Sequence, residues 1–467
     1  MLEYKDIFEK QKSFFLCLTF SIIPMQLSLR IKKQSSIPKE QKFTSDFNSV
    51  IFIVLWNSLG FFFIEFIMNY LIFIVLGYPA YNVGLFFSFI TLGGLISSSF
   101  IGYLTDRFSK RILVMLGSFG RGISYFGLYL SIILQSLIGM YISAFLLGLG
   151  AHAFWNPLDA IISEKSSKYH RSSAFGKRRF ALGMGMVLGT VVGFSIFSIS
   201  NIFTPDNPLI VYGAIPLFGI SNFYAGIQFL RRVDENKKFE YLEDHTEGMN
   251  QSSSEVLSNT SKKNPNFIYF VGIIVLFSGF FSASINSGIY RPFIQTYALT
   301  NIESNAEIVA WFYLPTSLLG SLIAPKLGTL ADRLNAYKTI AIASLIGGFV
   351  TWLIINSANL WIFAFLLIID NTIMLTVSFV FINFLSRLSV KHRGKIFAAI
   401  TLFESIGMII GPFLGGIVWE TISPQTPFII SIIVEWSLIP LFILGMKLLS
   451  PYLVESIDEK SKIWTLE

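Results

Sequence analysis

The chain has 467 residues, of which 53% are hydrophobic and only 13% are charged. Because soluble domains carry about 25% charged residues, this composition excludes a string of ordinary soluble domains and indicates an integral membrane protein. Cys17 is the single cysteine, which excludes a disulfide within the chain and a cysteine-based metal site. The sequence has no GxxxxGK[ST] phosphate loop, so we expect no ATP hydrolysis, no enzyme activity and no cofactor. The four histidines are scattered without ligand spacing, so we expect no metal site.

Residues 1–45 are predicted to be a cytoplasmic N-terminal segment with one apolar stretch, residues 13–29. This stretch is short, contains Pro24 and has basic residues on both sides, which disfavours a membrane crossing. No small-residue cleavage site follows it, which argues against a signal peptide. We expect an amphipathic helix that lies in the membrane interface.

Apolar runs of about 20 residues follow, each long enough to cross about 30 Å of hydrocarbon. We count twelve of them in the sequence. Residues 231–265 are polar and rich in Ser and Asn, as expected of a cytoplasmic linker, and residues 451–467 form a predicted cytoplasmic tail. The predicted spans are 49–76, 83–104, 112–134, 137–162, 177–200, 208–230, 267–290, 306–327, 339–356, 359–386, 395–419 and 428–449.

The same loop sequence occurs twice. GYLTDRFSKR begins at Gly102 and GTLADRLNAY begins at Gly328, an offset of 226 residues (328 − 102), which is close to half the chain. His170 and Arg171 recur as His392 and Arg393 at nearly the same distance. Such repeats are typical of transporters built from a duplicated membrane domain. They predict an all-α integral membrane protein with twelve transmembrane helices in two pseudo-symmetric six-helix bundles, residues 46–230 and 266–450.

Basic residues concentrate in the loops on one side of the predicted bundles. The short loops after spans 2, 4, 8 and 10 are rich in Lys and Arg. The loops after spans 1, 3, 5, 9 and 11, and the stretch ALTNIESNAE (residues 298–307) after span 7, contain neither. This positive-inside pattern predicts a multi-pass plasma-membrane protein with both termini in the cytoplasm. Basic loops that orient the protein in the membrane also account for the net charge of +7. The charge is therefore no argument for nucleic-acid binding.

The loop between spans 2 and 3, with its pattern G-x-x-x-D-R-x-x-[KR]-[KR], resembles the signature of the major facilitator superfamily. The resemblance extends to the two-bundle layout of residues 46–450 and implies a latch that closes the cytoplasmic side in the outward-facing state. The alternative is a tight basic turn that only sets topology, and the second copy departs from the signature at Ala336 and Tyr337. The predicted latch residues are Gly102, Asp106, Arg107, Lys110, Arg111, Gly328, Asp332 and Arg333.

Glycines recur at every fourth position in spans 5 and 11. Small residues at this spacing lie on one helix face and let a neighbouring helix approach closely. We expect these faces to act as the hinge of alternating access, and static close packing is the alternative. The residues are Gly185, Gly189 and Gly193 in span 5, and Gly407, Gly411, Pro412 and Gly415 in span 11.

Ionisable side chains within spans are candidates for substrate binding or coupling, because a charge near the bilayer centre is costly unless it is paired or hydrated. Glu65 and Asp370 are the deepest, and we expect one of them to exchange a proton during transport. Arg291 and Lys177 lie near the ends of their predicted spans and are assigned to helix ends. The candidate residues are Glu65, Arg121, Asp159, Arg179, Asp370 and Glu404.

The region from Asp159 to Arg179 resembles spans 4–5 of the lactose/proton symporter type and its sugar and nucleoside relatives. That resemblance implies a site in which Asp159 accepts hydrogen bonds from substrate hydroxyls and Arg179 donates a bidentate pair. The match requires one inserted residue after Asp159. The alternative is that Arg178 and Arg179 extend to the cytoplasmic surface.

Three functions remain open on the sequence. The first is proton-coupled uptake of a sugar- or nucleoside-like solute, and the second is proton-driven efflux of drug-like or amphiphilic compounds. The third is a membrane sensor or lipid-handling protein that does not transport, which the buried charges disfavour. We expect a monomer in the lipid bilayer whose partners are a small-molecule substrate and protons.

Overall fold

Long apolar helices account for nearly all of the chain described by the structure, a computed structural model. It describes residues 42–167, 171–205, 207–239, 267–313, 316, 335–388 and 393–453. Ten helical segments in these ranges are long and apolar enough to cross a membrane. The predicted all-helical membrane architecture is confirmed. The predicted interfacial helix, the latch residues Gly328, Asp332 and Arg333, and most of span 8 and of the linker lie outside the described residues.

The first half of the chain forms the N-bundle. Its helices are α1 (Phe47–Asn57), α2 (Phe61–Asn69), α3 (Ala80–Arg107), α4 (Lys110–Ile133), α5 (Leu137–Glu164), α6 (Arg171–Phe203), the short α7 (Pro208–Val211) and α8 (Ala214–Arg232). A π-helical segment, Tyr70–Val75, continues α2. Helix α5 packs against α3 and α4, while α1 packs against α6 and α8.

The second half forms the C-bundle. Its helices are α9 (Phe267–Tyr290), α10 (Phe293–Asn301), α11 (Ala336–Ile355), α12 (Leu360–Leu388), α13 (Arg393–Thr421) and α14 (Thr426–Leu449). Residues 306–313 are also helical. Helix α9 packs against α13 and α14, and α11 packs against α12 and α14.

Consecutive spans alternate in direction, so the loops gather at two ends of the molecule. We call the end that contains residues 42–46, 107–111 and 164–167 the basic end. The opposite end, which contains residues 76–80, 134–136 and 421–425, is the distal end.

Two spans are interrupted in mid-course. Gly60 separates α1 from α2 with φ of +87°, a backbone conformation that glycine adopts without strain. Arg291 and Pro292 separate α9 from α10, and proline cannot donate the backbone hydrogen bond that would continue the helix. The sequence prediction ended span 7 at residue 290, which is wrong, because the apolar helical segment continues to Asn301. Arg291 therefore lies about 15 Å inside the distal end of its span.

At the distal end the two bundles contact each other closely. The Ser88 hydroxyl on α3 donates to the Ile409 carbonyl on α13 at 2.6 Å, and the Ala80 amide donates to the Glu420 carboxylate. One apolar cluster includes residues of both bundles, among them Phe63 and Trp419. Nearer the basic end each bundle has an apolar cluster of its own. The bundles are thus joined at the distal end.

A buried ion pair ties the basic end of the N-bundle together. Lys165, whose side chain is 1% exposed, lies 2.6 Å from the Asp46 carboxylate and also donates to the carbonyls of Asp234 and Lys237. Burial alone would raise the pKa of Asp46. The hydrogen bonds that its carboxylate accepts from Lys165, Thr44 and the Asp234 amide outweigh burial and hold that pKa below its usual value.

The loop between α3 and α4 is held by a second set of contacts. The Glu235 carboxylate, just beyond α8, accepts hydrogen bonds from the Ser109 hydroxyl and from the amides of Lys110 and Arg111 at the start of α4. These bonds hold the pKa of Glu235 below its usual value although its partial burial acts in the opposite direction. Lys110 also pairs with Glu164 at 2.6 Å. Each of these contacts lies within the N-bundle.

Candidate functional site

The two interrupted spans meet between the bundles. The Asn69 amide on α2 donates to Gln295 Oε1 on α10 at 2.8 Å, and these residues are 226 positions apart. That is the offset between Gly102 and Gly328. One helical turn away, Glu65 and Arg291 have the same offset (291 − 65 = 226). Glu65 and Arg291 therefore occupy equivalent positions in the two pseudo-symmetric bundles, one an acid and the other a base.

Arg291 is the centre of a charged cluster. Its side chain is exposed in mid-span, where it donates to Met374 Sδ at 2.8 Å, and the Tyr290 hydroxyl donates to the same sulfur at 3.5 Å. Both Glu65 and Asp370 lie within electrostatic range of its guanidinium. Two of the deepest predicted residues thus share a cation that the sequence prediction had assigned to a helix end.

The cluster contains more acids than bases. Asp370 on α12 is 6% exposed, and Glu435 on α14 lies within electrostatic range of it. Glu65 is exposed although its neighbours Ile64 and Phe66 are buried. Because Glu65 interacts with Arg291 of the other bundle, its carboxylate faces the space between the bundles. The Glu435 carboxylate itself lies against α11, 2.7 Å from where a Cβ at Gly347 would stand. Among the described residues, the carboxylates of Glu65 and Asp370 therefore accompany the single guanidinium of Arg291.

Aromatic rings border this cluster. The rings of Phe62 on α2 and Tyr313 stack across the two bundles with centroids 5.5 Å apart. The Tyr313 hydroxyl interacts with the side chain of Gln295, whose Oε1 accepts from Asn69. The site thus combines flat apolar surfaces with unbalanced negative charge.

A second charged group lies nearer the basic end of the N-bundle. Asp159 on α5 and Arg178 on α6 approach to 2.8 Å, and the Arg178 guanidinium lies 4.7 Å from the centre of the Trp155 ring. The two charged atoms are not aligned for a hydrogen bond, and neither has another hydrogen-bond partner among the described residues. Arg179, the residue predicted to accompany Asp159, is exposed. The structure brings Arg178 rather than Arg179 to Asp159.

Two other candidate residues belong to neither cluster, although Arg121 is connected to the second through the Phe61 ring, which stacks on Trp155 with centroids 6.3 Å apart. Arg121 is fully buried in α4, where its Nη1 donates to Asn57 Oδ1 and its guanidinium lies 4.0 Å from the centre of the Phe61 ring. Glu404 is exposed on α13, and its backbone carbonyl accepts from the Ser284 hydroxyl.

The glycine faces pack on the interrupted spans. A Cβ at Gly185 or Gly189 would collide with backbone atoms of Leu55 or Leu59 beside the first interruption, and one at Gly193 would collide with the Phe63 ring. On α13, the corresponding glycines Gly407, Gly411 and Gly415 contact α9 in the same manner, and Pro412 contacts Gly288 of α9 and Gly84 of α3.

The predicted latch is described only in its first copy. Gly102 has no atom within 4 Å of an added Cβ, and the Arg107 guanidinium lies 4.2 Å from the centre of the Tyr103 ring. Asp106 lies in the last turn of α3, and its side chain is outside the described part of the structure. No three His, Cys, Asp or Glu side chains of the described residues converge as a metal site would require.

The sequence model of the Major Facilitator Superfamily matches residues 47–389. The chain belongs to the major facilitator superfamily. It is therefore a multi-pass membrane transporter, and members of this superfamily bind small-molecule substrates within the membrane, often with coupling to protons.

Known proteins place the chain among varied transporters. An uncharacterized MFS-type transporter, YqjV, of Bacillus subtilis (strain 168) is 24% identical and is aligned over 76% of this chain and 82% of its own length. Multidrug resistance protein 2 of the same organism is 23% identical over 70% of this chain and 77% of its own. The crystal structure of a D-xylose–proton symporter has a TM-score of 0.65 at 13% identity, covering 88% of this chain and 98% of that one. At that identity the symporter shares the fold alone.

Sequence reasoning missed several residues of the cluster. Arg291 was misassigned because the predicted span ended before Pro292. Asn69, Gln295 and Tyr313 are uncharged, and a search for charges in spans does not find them. The signal was present in the repeat, because the offset of 226 applied to Glu65 and Asn69 leads directly to Arg291 and Gln295.

Proposed function

We propose that this transporter exports amphiphilic organic cations in exchange for protons. The observation that carries the proposal is the excess of the two carboxylates of Glu65 and Asp370 over the single guanidinium of Arg291 among the described residues of an aromatic-bordered space. Ionised carboxylates attract a cation, and aromatic faces bind both its apolar surface and its charge. The similarity to Multidrug resistance protein 2 supports export of drug-like compounds.

Coupling follows from competition for the same carboxylates. A cation binds best when Glu65 and Asp370 are ionised, and a proton on either removes the charge that holds it. Because linkage is reciprocal, cation binding then expels a proton, and protonation releases the cation. Arg291 lies within electrostatic range of both acids and balances whichever of them is ionised.

The direction of export rests on the positive-inside pattern, which makes the basic end cytoplasmic. The bundles are joined at the distal end and have separate apolar clusters toward the basic end. This arrangement suits loading of substrate from the cytoplasm. Protons would then enter from the outside after the bundles rock apart at the distal end.

Uptake of a hydroxyl-bearing solute is the second candidate. Asp159, Arg178 and Trp155 provide an acceptor, a donor fork and an aromatic face, the groups with which proteins bind sugar-like rings. The close approach of Asp159 and Arg178 favours the first candidate, since a solute must separate the pair before it binds.

Transport in proteoliposomes tests the proposal. With an imposed pH gradient, the purified protein should drive transport of ethidium, an aromatic cation, and Glu65→Gln and Asp370→Asn should each reduce it at least tenfold. Glu303→Gln, which makes the same change near the distal end of α10, should leave transport unchanged. Xylose transport without ethidium transport would favour the second candidate and refute the first.

A further inference from the structure

Arg121 is a buried cation without a buried anion. Its side chain is fully buried, and no carboxylate of the described residues pairs with it. Its Nη2 donates to the Tyr125 hydroxyl at 3.4 Å, and its Nε has no hydrogen-bond partner among the described residues. Because an unpaired charge within a membrane protein is costly, its retention calls for a function.

The contacts of Arg121 lie on both sides of the first span's interruption. Asn57, which accepts a hydrogen bond from Nη1, is the last residue of α1, and Phe61, which lies under the guanidinium, is the first residue of α2. The carboxyl end of α1 carries the negative end of a helix dipole, and the Phe61 ring presents its negative face. These partial charges take the place of a carboxylate.

Asn57 is itself held in one orientation. Its amide nitrogen donates to the Ser118 hydroxyl at 2.8 Å and to Asn222 Oδ1 at 2.9 Å, so its oxygen faces Arg121. The interruption leaves little room for adjustment, because a Cβ at Gly60 would lie 2.6 Å from the Phe218 ring. Arg121 thus connects a fixed end of α1 to the beginning of α2.

Glu65 follows Phe61 by four residues, so both lie on the same face of α2. A rotation of α2 about its axis moves Phe61 off the guanidinium and turns Glu65 away from Arg291 together. We infer that Arg121 is a positioning residue: by holding Asn57 and Phe61 across the interruption, it sets the rotation of α2 that directs Glu65 toward Arg291. The inference rests on the proposed coupling role of Glu65.

Thiol labelling tests the position of residue 65 without any transport measurement. In a Cys17→Ser background, Glu65→Cys is labelled with a water-soluble maleimide in detergent. Arg121→Lys, which keeps the charge but loses the planar fork, should change the labelling rate at least fivefold. Phe61→Leu, which leaves Arg121 in place, should change the labelling rate in the same direction. If Arg121→Lys does not fold, the result for Phe61→Leu tests the inference.

Two controls separate positioning from general loosening. Phe229→Leu shortens another fully buried ring of the N-bundle, in the apolar cluster nearer its basic end, and should leave the labelling rate of the Glu65→Cys thiol within twofold of the parent. Arg291→Cys, in the same space but on the other bundle, should be labelled at an unchanged rate in the Arg121→Lys background.

The outcomes are distinguishable. If Arg121→Lys and Phe61→Leu lower thermal stability but leave labelling at position 65 like that of Phe229→Leu, Arg121 only packs and the inference is wrong. Ethidium transport is measured separately in Arg121→Lys with Glu65 intact. If Arg121→Lys alters labelling of the Glu65→Cys thiol but does not diminish this transport, Arg121 positions α2 as inferred and the coupling role of Glu65 is refuted.

Discussion

Replacement of Gly84 by alanine should open the distal end. A Cβ at Gly84 on α3 would collide with the Pro412 carbonyl oxygen on α13 and lie 3.0 Å from the Phe413 amide nitrogen. Both neighbours are backbone atoms, which cannot rotate away as a side chain can. An ordinary carbon–oxygen contact is about 3.3–3.6 Å, so the two bundles must separate locally by ~1 Å or more.

The size of the shift between closed and open states depends on which state contains the collision. Overpacking of this kind costs about 1–3 kcal/mol, and here the cost falls only on the state in which α3 and α13 touch. Since about 1.4 kcal/mol corresponds to a factor of ten in an equilibrium constant, Gly84→Ala should raise the ratio of molecules open at the distal end to molecules closed there by about 5- to 150-fold.

Gly93 provides the matched control on the same helix. A Cβ there would collide with the Phe145 carbonyl oxygen and lie 3.0 Å from the Leu149 amide nitrogen, but both belong to α5 of the same bundle. Gly93→Ala should therefore lower the melting temperature without shifting the equilibrium between states.

Pulsed electron spin resonance measures the outcome. Nitroxides at Leu134→Cys and Ile422→Cys, exposed positions at the distal ends of the two bundles, report their separation in a Cys17→Ser background. Gly84→Ala should populate a longer distance and Gly93→Ala should not. The same distance distribution in both variants would refute the argument that the α3–α13 contact holds the distal end closed.

Two further predictions concern polar contacts. Gln295→Leu removes the acceptor in the other bundle from the Asn69 side-chain amide, which keeps only the Glu65 carbonyl of its own helix. One amide hydrogen is then buried without a partner in the closed state, so the variant should favour the open distal end by about 1–3 kcal/mol, and an unchanged distance between the two nitroxides would contradict this. Asp46→Asn leaves Lys165 without its anion and should lower the free energy of unfolding by about 3 kcal/mol at neutral pH, as measured by thermal unfolding in detergent. The folded pKa of Asp46 lies below the unfolded value of 3.8, so its contribution is present above pH 3.8 and is lost as the pH falls through the folded pKa. The difference between parent and variant should therefore shrink below pH 3.8, and a difference independent of pH would show that the charge of Asp46 is not responsible.

Part of the site was predictable residue by residue. Glu65 and Asp370 were found because a carboxylate in an apolar run is costly and therefore conspicuous. Arg291 was missed because hydropathy counts the interruption at Pro292 as the end of a span. The choice of Arg178 over Arg179 as the partner of Asp159 was not predictable, because consecutive residues differ by about 100° around a helix and the packing of α6 on α1 selects which one turns inward.

The sequence by itself determined the architecture. In lipid every backbone amide must be satisfied within its own segment, so long apolar runs are necessarily helices, and a duplicated loop establishes that the helices form two related halves. Only the tertiary structure decided which faces of those helices meet. The rotation of α2 depends on Arg121, Phe218 and the α6 glycines, and the closure of the distal end depends on Gly84 against Pro412. Such contacts join residues far apart in the chain, and their energies depend on shapes that exist only after the helices have packed.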